Sequence, residues 1–170
     1  MPNRIDSMLS HGMGKVKAVK ARLSGIVGVF KTLAEQHGEV TMLLERAKTS
    51  DEKFTELWPT IRRELLSHEK AEMREVYPVL RARDATRQLA EHHDAEAAQL
   101  EQLIANLDEI AVTSPARRDL FQQLIDTFME HTREEETDTF PKAQEAIGKS
   151  QAEALEAKFL SSQRQIAATL

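Results

Sequence analysis

The sequence predicts an all-α protein built from four long amphipathic helices and a shorter fifth one. Three observations carry this. Of 170 residues only six are glycine and five proline, while Ala, Leu, Glu, Gln, Lys and Arg, the residues that lose least on becoming helical, dominate. Apolar residues recur at steps of three and four along four stretches, the spacing of one buried helical face. Capping or turn residues punctuate those stretches. The length suits one domain that buries a core without staples. No cysteine occurs, which excludes a disulfide framework, a thiolate zinc site, an iron–sulfur cluster and cysteine catalysis.

Taken in order, residues 1–15 hold Gly12 and Gly14 without an apolar period and read as a loose lead-in. The bundle is expected over 16–147 and a C-terminal helix packed on it over 148–170. Lys15, Lys17, Lys20 and Arg22 read as a solvated helix face. The first stripe runs Val16, Val19, Leu23, Ile26, Val27, Phe30, Leu33, His37, Val40 and Leu44, and should stop near Lys48. Thr49, Ser50 and Asp51 offer N-caps to the second helix. Its stripe is Phe54, Leu57, Ile61, Leu65, His68, Glu72 and Val76, interrupted by Pro59 and expected to end shortly after Tyr77, at Pro78. Glu69 lies about 100° round from His68; it is read as solvated, with the edge of the inward face as the alternative.

Asp84 is the expected N-cap of the third helix, whose stripe reads Leu89, His93, Ala97, Leu100, Ile104 and Leu107. His92 points about 100° away from His93 and pairs with Glu96 at i+4, so His92 and Glu96 compete with His93 for the inward role. Ser114 followed by Pro115 starts the fourth helix, with Leu120, Leu124, Phe128, His131 and Glu135 inward. Gly148 closes a segment, and Ser150-x-x-Glu153 reads as a capping box for the last helix. Leu155, Phe159 and Ile166 give that helix an apolar face to cover the bundle, or alternatively to form a homodimer.

The strongest signal is a repeat. HEKAEMREVYP at 68–78 returns as HTREEETDTFP at 131–141: His, three residues, Glu, four residues, an aromatic, then Pro. With this composition a given histidine is so followed roughly once in six thousand, yet two of six histidines comply. Residues i and i+4 share a helix face, so each copy offers an imidazole beside a carboxylate. Four stripes thus each deliver one inward histidine, His37, His68, His93 and His131, and two add Glu72 and Glu135. Such groups in an apolar core need compensation, and a metal supplies it. Four imidazoles with two carboxylates able to bridge fit a pair of irons. HExxH is absent, because Glu72 stands where a second histidine would be. Glu-x-x-His is absent as well.

These residues resemble the hemerythrin-like, or HHE cation-binding, domain over about residues 30–142. The resemblance implies an up-down-up-down four-helix bundle holding two non-haem irons, bridged by oxo or hydroxo groups and by carboxylates. His37, His68, His93 and His131 would then be terminal ligands, with Glu72 and Glu135 as bridges. Oxygen-carrying members have a fifth histidine four residues after the third-helix one; Ala97 stands there. Glu69, the His92 and Glu96 pair, or a solvent molecule would take its place.

The expected function is binding or sensing of dioxygen or nitric oxide, or of iron. The alternatives are a di-iron oxidoreductase acting on nitric oxide or peroxide, an iron donor for iron–sulfur cluster repair, and a structural bundle with a degenerate site. A net charge of −5 argues against nucleic acid. No apolar run approaches the ~20 residues of a membrane span, so a soluble, cytoplasmic protein is expected.

Overall fold

The computed structural model describes residues 25–170, and among them all regular structure is helical. The lead-in, the basic cluster Lys15, Lys17, Lys20 and Arg22, and Val16, Val19 and Leu23 of the first stripe lie outside the described residues. The helices are α1 (Gly28–Ala47), α2 (Asp51–Ala71), α3 (Tyr77–Arg81), α4 (Arg87–Glu109), α5 (Pro115–Glu134), α6 (Phe140–Ile147) and α7 (Lys149–Ala167). Two π-helical segments, Glu72–Val76 and Glu135–Thr139, join α2 to α3 and α5 to α6 without a break. None of these helices is long and apolar enough to cross a membrane.

Several boundaries follow the expected chemistry. Ser50 caps α2 by accepting from the Lys53 N–H at 3.1 Å, and α5 begins at Pro115. Others correct it. The first stripe is not one continuous helix, because Gly25 takes a positive φ of 77° and Val27 is extended. Gln144 fixes that turn, accepting from the Val27 N–H at 2.7 Å and donating to the Gly25 carbonyl at 2.6 Å. Pro59 interrupts nothing, since α2 passes through it. Asp84 does not cap α4; it accepts from Arg87 at 2.7 Å, while Thr86 precedes the helix and donates to the Leu80 carbonyl. Gly148 (φ 83°) stands directly before α7, so Ser150 lies inside the first turn and not at the cap.

Buried apolar residues form two clusters. One gathers Phe30, Leu33, Val76, Tyr77, Leu80, Ala90, Phe140, Leu155 and Phe159. The other gathers Val40, Leu44, Phe54, Ile61, Leu65, Leu100, Phe121, Leu124 and Phe128. Along α1, α2, α4 and α5 the inward His and Glu residues fall between members of the two clusters, so a buried polar layer is sandwiched by apolar ones. Helix α7 packs on α1 and α2, with Leu155 and Phe159 buried. Its apolar face is thereby covered within the chain.

The α1–α7 contact is close. Gly28 has φ 57°, and a Cβ there would stand 2.4 Å from the Ala152 carbonyl carbon. Gly28→Ala therefore meets both backbone strain and a clash with main chain. It is expected to destabilise the fold by about 2–4 kcal/mol in urea unfolding; an unchanged midpoint would contradict this packing.

Candidate metal centre

The doubled motif acquires its physical meaning at the π segments. The Tyr77 N–H reaches the Glu72 carbonyl and the Phe140 N–H reaches the Glu135 carbonyl, an i to i+5 pattern that widens one turn. A proline follows each of these donors, and a proline ring clashes with the carbonyl four residues before it in a regular helix. The wider turn absorbs that clash. Pro78 therefore does not end the helix as expected; the chain stays helical to Arg81. The glutamate opening each π segment is carried into the core, as Glu72 and Glu135 are 0% and 1% exposed.

Two groups of donors meet in the polar layer. Glu69, Glu72, His93 and His131 form one, and His37, His68 and Glu135 the other; within each, the nearest donor atoms lie within 4.8 Å of one another. The groups abut. His37 Nε2 is 3.2 Å from both His68 Nε2 and Glu135 Oε2. Glu72 Oε2 is 3.4 Å from His68 Nε2 and 3.6 Å from His93 Nε2. Glu135 also approaches His93 (3.5 Å) and His131 (3.5 Å). Glu69 lies 3.2 Å from His131 Nε2 and 3.5 Å from His93 Nε2.

Outer partners aim three of the imidazoles. His37 Nδ1 pairs with Glu136 at 3.0 Å, His68 Nδ1 with the Gln36 amide oxygen at 2.8 Å, and His131 Nδ1 with Glu96 at 3.0 Å. A proton held on each Nδ1 leaves Nε2 facing inward, as a metal-binding imidazole requires. The His93 ring stacks on Tyr77 with centroids 3.6 Å apart, and the Tyr77 hydroxyl donates to Glu135 Oε1 at 2.5 Å. His37 stacks on Phe140, the aromatic of the second motif.

The electrostatics of this layer are those of crowded buried charge. Burial, then the neighbouring Glu135 and Glu69, push Glu72 well above the usual carboxylate range. Burial acts the same way on Glu135 and Glu69, but there the imidazoles, His131 foremost, outweigh it and hold both carboxyls low. Burial opposes charge on His131 and His37 too; Glu135 with Glu69 raises His131 well above its ordinary value, and Glu135 with Glu136 raises His37. His68 is lowered to about 3 by burial and then by His37, and His93 is lowered by burial. Burial, then Glu135, pushes the Tyr77 phenol well up, so it keeps its proton.

Even so, Glu69, Glu72, His93, His131 Nε2 and Glu135 Oε2 contribute eight buried nitrogen and oxygen atoms with no hydrogen-bond partner. Leaving a buried polar atom unsatisfied costs about 1–3 kcal/mol. Imidazole nitrogens and carboxylate oxygens converging without hydrogen bonds are the donor set that a transition-metal pair fits.

All six residues expected to point inward, His37, His68, Glu72, His93, His131 and Glu135, are brought together here. Glu69 corrects the sequence expectation: it is 1% exposed, not solvated. His68 faces α1 while Glu69, about 100° round, faces α4 and α5, so adjacent residues reach opposite sides of one layer. The consecutive Leu65 and Leu66 just before them, both buried, were the available signal of so wide an inward face. His92 does not join the layer. It is exposed, 3.1 Å from Glu134 and 3.4 Å from Glu96, in a separate surface group. Glu96 belongs to that group and also supports His131 from outside. Gln36 and Glu136 carried no recognisable signal, since one is a polar neighbour of His37 and the other the last of three consecutive glutamates.

Comparison with known proteins agrees with this architecture. The family model described as Hemerythrin HHE cation binding domain matches residues 28–143, and the chain belongs to that family. It is also similar to a DNA nickase of Nostoc sp. (strain PCC 7120 / SAG 25.82 / UTEX 2576), at 25% identity across 90% of this chain and 48% of that protein. The chain thus spans about half the length of that relative. No solved structure matches significantly.

Proposed function

We propose that this chain is a non-haem di-iron protein that binds or senses dioxygen or nitric oxide. The observation that carries the reading is the set of eight buried donor atoms without a hydrogen-bond partner between two apolar clusters. His37 and His68 would hold one iron, and His93, His131 and Glu69 the other. Glu72 and Glu135 would be shared between them, a role supported by their 3.2–3.6 Å approaches to histidines of both groups. An up-down-up-down arrangement of α1, α2, α4 and α5 belongs to the same proposal. It is supported by the alternating order in which successive helices run from one apolar cluster to the other.

Glu69, from α2, would then supply the donor that oxygen carriers take from a fifth histidine at the position of Ala97, and the His37 and His68 side would have fewer protein donors. An open coordination position of that kind admits a small ligand. The pair of irons, when bound, supplies reversible binding of a diatomic or electron exchange with it. The protein's own part is to exclude water with the flanking phenylalanines, to fix the imidazole tautomers through Gln36, Glu136 and Glu96, and to hold a proton on the Tyr77 hydroxyl beside Glu135 Oε1. Reduced, iron-loaded protein is expected to develop a visible band in air or nitric oxide that disappears on degassing. Bleaching without any such band would contradict ligand binding at the pair.

A second reading, metal-dependent nicking of DNA, is favoured by the similarity to the Nostoc nickase. It requires relaxation of a supercoiled plasmid by the metal-loaded chain and none after chelation; an inactive loaded chain would dismiss it.

A further inference from the structure

Among the described residues, two cavities touch the buried layer. One is a cavity of about 300 Å³ that touches His131 and is lined by Glu96, Asp126 and Glu130. The other, of about 380 Å³, opens between α1, α2 and α7 and ends at His68, with Gln36, Thr60, Glu64 and Gln163 on its walls. Their inner ends differ. At His131 the way is closed by the Glu96 carboxylate, 3.0 Å from the ring Nδ1, an acceptor whose hydrogen bonds are roughly twice as strong as those between neutral groups when it is ionised. At His68 it is closed by neutral amides: Gln36 donates to Gln163 at 2.8 Å and Gln163 donates back at 3.0 Å, while the same Gln36 oxygen receives His68 Nδ1 at 2.8 Å.

Gln163 lies on α7, beyond the residues matched by the family model. The same helix grips the metal-bearing helices by several other contacts. Ala152 packs against Gly28, Glu156 accepts from Thr32 at 2.5 Å, Phe159 meets the His68 ring edge-on at 6.0 Å, and Ser162 donates to Glu75. This helix is therefore a wall of the path to His68. The path offers carboxylates at Glu39 and Glu64, amide and hydroxyl oxygens and then an imidazole; the nearest cation on Glu64 is the Arg63 guanidinium at 3.2 Å, on the exposed side and outside the lining. Oxygen donors followed by nitrogen suit a divalent cation that sheds water in steps.

We propose that this pocket is the loading path by which a divalent cation reaches the centre, with Glu64 drawing it in, the Gln36–Gln163 amide pair as the door and His68 as the receiving imidazole. The proposal rests on the reading of the buried layer as a metal site. The test follows uptake of cobalt(II) by the full metal-free chain, through its visible absorption in stopped flow, and loss of the ion to EDTA. Gln163→Ala is expected to speed both uptake and loss several-fold. Glu64→Gln is expected to slow uptake about threefold at low salt, with the difference shrinking as salt is added. Glu130→Gln, at the other cavity, should load like the wild type, and the final cobalt content should be the same in all four proteins. Wild-type rates in both Gln163→Ala and Glu64→Gln, or slowing confined to Glu130→Gln, would overturn the path while leaving the centre intact. A wild-type chain that takes up no cobalt would overturn both. Glu64 is partly exposed, so its variant tests the path even if Gln163→Ala folds poorly.

Discussion

Replacing Glu135 with alanine is expected to abolish binding of a metal pair and to destabilise even the metal-free protein. Glu135 is the one carboxylate that approaches His37, His93 and His131 together while accepting from Tyr77. In the metal-free chain it balances His37 and His131, both held toward their charged forms. Removing one partner of a buried charge pair costs about 3–5 kcal/mol. With metal, the loss of a donor shared by both positions should weaken binding by more than about 100-fold, beyond what a supporting residue contributes. Glu134→Ala, one residue away and at the surface, should change stability by no more than about 0.5 kcal/mol. Calorimetry on both variants makes the comparison. Stability within about 1 kcal/mol of the wild type for Glu135→Ala, together with retained stoichiometry, would refute its central place.

Phe159→Ala is expected to be nearly as damaging, although it lies in the last helix and outside the family match. Phe159 is 0% exposed and joins the cluster containing Phe30, Tyr77 and Phe140, with its ring against His68. Deleting a fully buried phenylalanine costs about 3–5 kcal/mol, and for a chain of this size that lowers Tm by roughly 10 °C. The metal-free variant is the one to melt, so that loss of metal does not enter the comparison. A shift of only one or two degrees would mean that α7 is an appendage, with no part in the core.

The comparison with the sequence turns on period. His37, His68, His93 and His131 were legible because each continues an apolar stripe at steps of three or four, and Glu72 and Glu135 because the motif repeats. Glu69 was not legible, because a single-stripe picture allows one inward face per helix, whereas α2 is covered on two sides. The π segments were hidden as well. The aromatic-Pro pair announces them, yet a proline in a helical pattern ordinarily reads as an end, as it did at Pro78. Caps were legible where a side chain makes the capping bond, at Ser50, and misplaced where a glycine turn or a tertiary contact sets the boundary, at Gly148 and Thr86.

The claim on which the rest depends is that the buried layer holds two metal ions, and metal analysis tests it most directly. Protein purified from iron-supplemented cells should contain about two irons per chain, and His68→Ala, which removes a donor at only one of the two positions, should contain about one or fewer. Zinc in stoichiometric amount, or the same metal content in wild type and His68→Ala, would contradict the account.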